Sequence, residues 1–143
     1  MILLDTNVIS ELARQSPDPG VVAWLDALPE ASVGITAVTV AELIYGVARL
    51  PSGRRRAELA GVIQILVTDT YGGRVWPFDV RAAACYGLIV SGRERLGRRI
   101  TAADAQIAAI CRSCDATLAT RNARDFIHTG IDVINPWAVP LSR

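Results

Sequence analysis

Short apolar segments alternate along this chain with longer stretches of helical periodicity, and that alternation limits the folds open to it more than any other feature. Residues 2–4, 32–36, 74–76, 116–119 and 132–135 have the length and composition of strands. Between them lie helical patterns. A short one starts at Asn7, and Val21, Val22, Leu25 and Leu28 recur at helical spacing beyond a turn at Pro17-Asp18-Pro19-Gly20. Residues 38–50 are closed by Pro51 and Gly53, and residues 54–70 carry Leu59, Val62, Ile63 and Leu66 on one side. Asp79 is placed to cap a helix over 79–96, and Thr101 to cap one over 102–114. A strand joined to its successor through a helix pairs with it in parallel by a right-handed crossover. The pattern therefore predicts an α/β fold, a mostly parallel sheet covered by helices on both faces. No repeat, low-complexity tract or dividing linker interrupts it, which predicts one domain over residues 1–143.

Composition excludes several function classes. An apolar share of 51% against 20% charged residues is far from disorder and supports a real core. No apolar run has the length of a membrane span, because Glu42 and Asp69 interrupt the longest ones, and Met1 to Asp5 has no basic leader; a cytoplasmic protein with no membrane partner is expected. The three cysteines, Cys85, Cys111 and Cys114, read as reduced thiols. The chain has no lysine, which removes P-loop nucleotide chemistry. A lone histidine, His128, removes a paired-histidine ribonuclease mechanism, and neither G-x-S-x-G nor H-E-x-x-H occurs.

What remains is acidic. In open parallel sheets, reactive groups gather beyond the carboxyl ends of the strands, and Asp5 directly follows the first strand. Glu42 sits between Ala41 and Leu43 in an apolar helical pattern, Asp104 falls in the first turn of a helix of Ala and Ile, and Asp125 follows the segment 116–119 after a short loop. Taken singly, Asp5 reads as a cap, Asp104 as a helix-dipole partner. Glutamate, however, is seldom buried without a partner. Two carboxylates about 6 Å apart repel by roughly 3 kcal/mol at an effective dielectric near 20. Three such pairs would cost on the order of 8 kcal/mol, comparable with a domain's whole stability. Such a set either takes up protons or binds a divalent cation, and an oxygen-only donor set suits Mg²⁺ or Mn²⁺. A cation of that kind supports hydrolysis at a phosphoryl group.

The residues around these acids resemble PIN-domain ribonuclease toxins of the VapC/FitB type, from type II toxin–antitoxin systems. The likeness lies in Met-Ile-Leu-Leu-Asp5-Thr6-Asn7, in Thr39-Val40-Ala41-Glu42-Leu43 with Gly46, and in residues 100–108 around Asp104. It continues through Leu118-Ala119-Thr120-Arg121-Asn122-Ala123-Arg124-Asp125-Phe126 to Asn135-Pro136-Trp137. Together these segments span essentially the whole chain. The resemblance implies a PIN-like three-layer sandwich with a five-stranded parallel sheet. It implies hydrolysis of single-stranded RNA by one or two metal ions, with 3′-hydroxyl and 5′-phosphate products, and inhibition by a cognate antitoxin protein. A homodimer, or a larger toxin–antitoxin assembly, is the expected state. Asp5, Glu42 and Asp104 match the family's metal-binding acids. Thr6 or Asn7 would support Asp5, and Thr120 would meet phosphate or water at the metal. The fourth acid is Asp125, or Asn122 stands in that place.

Other residues carry weaker readings. Arg98 and Arg99, ahead of the Asp104 helix, are the best-placed of the arginines to grip RNA; Arg54-Arg55-Arg56 read equally as a solvated face. Trp24, Trp76 and Trp137 read as packing residues, and Tyr45 as lining either the pocket or a dimer seam. Two rivals remain: a non-catalytic PIN-like binding module, and an aspartyl-phosphate phosphatase, which would want a second aspartate where this chain has Asn7.

Overall fold

The computed structural model describes residues 1–140. Five strands, β1 (Ile2–Leu4), β2 (Val33–Thr36), β3 (Val75–Trp76), β4 (Thr117–Ala119) and β5 (Val133–Ile134), form one parallel sheet in the order β3-β2-β1-β4-β5. The helices are α1 (Thr6–Leu12), α2 (Pro19–Asp26), α3 (Ala37–Ala48), α4 (Arg54–Ile65), α5 (Val80–Arg95) and α6 (Ala102–Ser113). The last three positions of the expected 1–143 unit lie outside the described residues.

Alternation along the central strand divides the core in two. Leu3 and Leu4 are both fully buried but point to opposite faces. Leu3 joins Leu118 with Ile89 of α5 and Ile107 and Ile110 of α6. Leu4 joins Ile35 with Val8, Val21, Leu43 and Ile63 from α1 to α4. The three-layer sandwich expected from the sequence is therefore the observed one, and its helices sort by face as two groups.

Caps set most of the helix starts. Thr36 accepts from the Thr39 amide at 3.0 Å, Asp79 from Ala82 at 2.9 Å, and Thr101 from Asp104 at 3.2 Å. Two local expectations need correction. The turn expected at 17–20 is already the start of α2: Asp18 accepts from Gly20 and Val21, and Pro19 occupies the first helical turn, where its missing N–H costs nothing. The helix expected over 54–70 is α-helical only to Ile65, and its last turn, Leu66–Thr70, widens to a π turn. Thr68 donates its hydroxyl to the Gln64 carbonyl at 2.8 Å, competing with the α ladder there.

Gly34 allows the sheet to close. A Cβ at this position of β2 would lie 2.7 Å from the Arg74 carbonyl oxygen and 2.8 Å from the Trp76 ring. Gly34→Ala is expected to destabilise the protein by about 1–3 kcal/mol, as overpacking does. Urea unfolding would register it as a lower midpoint at unchanged slope.

Candidate active site

In the strand order β3-β2-β1-β4-β5 the chain runs outward in one direction from β1 and in the other from β4, so a crevice opens beyond their carboxyl ends. Asp5 and Thr120 are the residues that follow those two strands. The Asp5 amide donates to the Ala119 carbonyl at 2.9 Å, and the Thr120 amide to Ile134 at 2.9 Å, carrying the sheet's bonding one residue past its strands.

Asp5 is 6% exposed and accepts from three sides. Its Oδ1 takes the Thr6 amide at 2.8 Å, which makes it the N-cap of α1; its Oδ2 takes the Thr120 hydroxyl at 2.8 Å and the Asn7 amide at 3.4 Å. Asn7 also donates to Thr120 at 3.1 Å and accepts the Arg121 backbone N–H at 3.1 Å. The Thr6 hydroxyl donates to Glu42 Oε1 at 2.9 Å, linking α1 to α3. Thr6, Asn7 and Thr120 thus hold the carboxylates of Asp5 and Glu42, and Thr120, expected beside phosphate or water, is bonded to Asp5 itself.

Asp5, Glu42, Asp104 and Asn122 line one cavity of about 510 Å³, together with Arg14, Arg121 and Trp137. Asp125 is not on that wall. It lines a smaller cavity of about 120 Å³ with Asp104, Arg93 and Arg99. It is nonetheless close enough to act electrostatically on both Asp5 and Asp104. Of the two candidates for the fourth position, Asn122 faces the main cavity and Asp125 stands behind Asp104. Glu42 is half-buried rather than enclosed: its neighbours Ile44 and Tyr45 are 54% and 64% exposed, so the apolar pattern of α3 is partly a surface stripe.

Asp5, Glu42 and Asp104 on the main cavity have carboxyl pKa values raised above the ordinary range. Burial is the main cause for each. Asp125 adds to the rise at Asp5, Asp5 and Asp104 add to it at Glu42, and Asp5 and Asp125 add to it at Asp104. Hydrogen bonds from Thr120, Thr6 and Thr101 pull the other way, as does the Arg93 charge near Asp104. The donor set is oxygen-only and fits a hard dication. Among the described residues, however, no three acidic, histidine or cysteine groups already surround one point as ligands.

Arg98 and Arg99 are exposed, and Arg99 lines the smaller cavity with Asp104 and Asp125. Tyr45 points outward under Arg49, away from the cavity. Trp137 packs against the core, yet also lines the cavity beneath Arg121. Glu11 is a fourth acid on the cavity wall, but it is engaged: Arg14 bonds it at 3.0 Å and holds its pKa low, and the Asp18 amide donates to it at 2.9 Å. Arg93 is 6% exposed and donates to the carbonyls of Arg98, Arg99, Asp125 and Ile127 at 2.6–3.2 Å. It joins the approach to α6 to the turn bearing Asp125. Nothing in the local sequence sets it apart from Arg95, Arg98 and Arg99. The three cysteines are free, and burial drives the Cys111 thiol's pKa far upward, which leaves it inert.

A model of the family described as PIN domain matches residues 2–131. Toxin FitB of Neisseria gonorrhoeae is 44% identical over 137 residues, covering 96% of this chain and 99% of that protein. VapC ribonuclease Y4jK of Sinorhizobium fredii is 41% identical over 137 residues, covering 96% and 98%. The crystal structure of FitAcB from Neisseria gonorrhoeae superposes with a TM-score of 0.91 at 43% identity, over 97% of this chain and 100% of that one. Other solved neighbours are toxin–antitoxin complexes of the FitAB and VapBC kinds.

Folding raises these carboxyl pKa values from ordinary values of 3.8 and 4.5. The protonated forms therefore favour the folded state, and that contribution is lost as pH rises through the raised values. Glu42→Gln keeps an acceptor for Thr6 and removes one charge. It is expected to raise the melting temperature of the metal-free protein by a few degrees at pH 7 and to leave it unchanged near pH 4. Thermal scans at the two pH values in EDTA would check this; an equal shift at both would show that charge crowding is not the cause.

Proposed function

The chain belongs to the PIN-domain family, and on that premise we propose that it is an endoribonuclease toxin of a type II toxin–antitoxin module, acting on RNA in the cytoplasm with Mg²⁺ or Mn²⁺ held by Asp5, Glu42 and Asp104. The observation that carries this reading is three carboxyl groups of raised pKa around one cavity at the sheet's crevice. Crowded negative oxygens of this kind are stabilised by protons or by a cation, and at neutral pH the cation wins when it is present.

Asp5, Glu42 and Asp104 would hold the divalent ion, which would supply a more acidic water and charge stabilisation at a phosphoryl group. The chain's own residues do the rest. The Thr6 amide and Thr120 hydroxyl fix both oxygens of Asp5, and the Thr6 hydroxyl fixes Glu42, so two acids keep their orientation without an ion. Asn7 orients Thr120 and ties the following loop to the site. Asn122 lines the cavity wall, and Asp125, in the smaller cavity with Asp104, adds negative charge that raises the Asp104 pKa.

The antitoxin's seat is an apolar groove of about 400 Å³ beside the cavity. Leu43, Val47, Leu59, Val62, Ile63 and Leu66 line it, and it shares Thr6, Arg14 and Glu42 with the acidic cavity. An apolar segment lying there would close the way to the acids. The stripe of Ile44 and Tyr45 on α3, with Leu88 exposed on α5, supports pairing with a second copy of the chain.

Asp104→Asn preserves shape and leaves the Thr101 cap intact. It is expected to lower Mg²⁺-dependent cleavage of single-stranded RNA by about 10²-fold or more while circular dichroism stays native. Parent-like cleavage by this variant would overturn the mechanism. Val62→Glu places a charge on the groove rim and is expected to weaken capture of the co-expressed antitoxin at least about 10-fold, read by co-purification and titration. Undiminished capture would move the antitoxin's seat elsewhere.

A further inference from the structure

We propose that Arg121, laid on the face of Trp137, clamps an unpaired nucleotide beside the phosphate that is cut; the proposal rests on the ribonuclease reading above and names how the substrate is held. The guanidinium carbon of Arg121 lies 5.0 Å from the Trp137 ring centroid, and both residues line the cavity that holds Asp5, Glu42 and Asp104.

Both members of this pair are held from behind. The inner part of Trp137 packs against the core, and its backbone N–H is bonded at 3.0 Å by the Asn135 side chain, so the indole is a fixed floor. The Arg121 backbone is bonded by Asn7, which also bonds Asp5 and Thr120. The cation is thus registered to the acids through one side chain. Cavity cations are few. Arg14 also lines it but is paired with Glu11 at 3.0 Å, whereas Arg121 is exposed and makes no ion pair among the described residues.

A guanidinium has two flat faces and an edge of N–H donors. With one face on the indole, the other is offered to a base, and the edge is offered to a phosphate. Negative carboxylates repel the RNA backbone, so a cation at the same cavity is needed to bring a phosphate close. A base inside a duplex is stacked on both sides and has no face to give, so this clamp selects unpaired RNA.

The test uses the full chain carrying Asp104→Asn, to hold off cleavage, and fluorescence anisotropy with labelled 12-nucleotide oligouridylate, an abasic oligomer of the same length, and a duplex. Adding Arg121→Gln is expected to weaken oligouridylate binding about 10-fold and to make its salt dependence shallower by about 0.7 in log–log slope. Arg121→Lys is expected to restore the slope without restoring the preference for oligouridylate over the abasic oligomer. Trp137→Leu is expected to weaken oligouridylate binding with the slope unchanged. Binding of the Arg121→Gln chain equal to its parent's, or full rescue of base preference by lysine, would overturn the clamp. Failure of the parent to bind any of the RNAs would instead overturn the ribonuclease reading, and the clamp with it.

Discussion

The Asp5 carboxylate is the point at which the backbone and the acidic cavity depend on each other. It caps α1 through the Thr6 amide and takes the Thr120 hydroxyl from beyond β4, while its own amide extends the β1–β4 pairing. One residue therefore spans the crevice between the two central strands. A carboxylate is suited to this because it accepts from several donors at once. It is also why burying it to 6% exposure is tolerable: every bond it receives favours the charged form and offsets part of the desolvation.

The balance at Asp5 is not complete, and the remainder is shared. Burial still dominates at Asp5, Glu42 and Asp104, and the pKa of each is raised further by at least one other acid. A fold chosen for stability alone would place one acid here. Three acids of raised pKa on one cavity form a crowded arrangement that a proton or a cation would relieve, in keeping with the tendency of such sites to carry function. Arg93 contributes to the same balance from the other side of α6. Buried and without a carboxylate partner among the described residues, it spends its donors on four carbonyls and leaves its charge to lower the pKa of Asp104.

Geometry also separates two surfaces that the α3 sequence blends. Val38, Leu43 and Val47 pack inward, while Ile44 and Tyr45 face outward on the same helix, and Glu42 lies at the boundary beside the cavity. A helix apolar on nearly all sides is expected when both its faces are covered. In the isolated chain one of them is bare.

Much was legible in the residues themselves. Periodicity of two kinds fixed five strands and six helices in the right order, because the side-chain repeat of a strand or helix is a local property. Thr101 and Asp79 announced the helices they cap, and Asp5, Glu42 and Asp104 stood out because acids in apolar settings need a reason. Pairing order, cavity membership and burial were not legible, since each depends on residues far apart in the chain. No local signal sets Thr6 against Glu42, lays Arg121 over Trp137, or tells Arg93 from its exposed neighbours. The sequence by itself determined which segments are strands and helices and which acids are out of place. Only the tertiary structure decided that three of those acids share one cavity with Asn122 while Asp125 stands behind, because strand order brings the ends of β1 and β4 together and no local rule encodes that order.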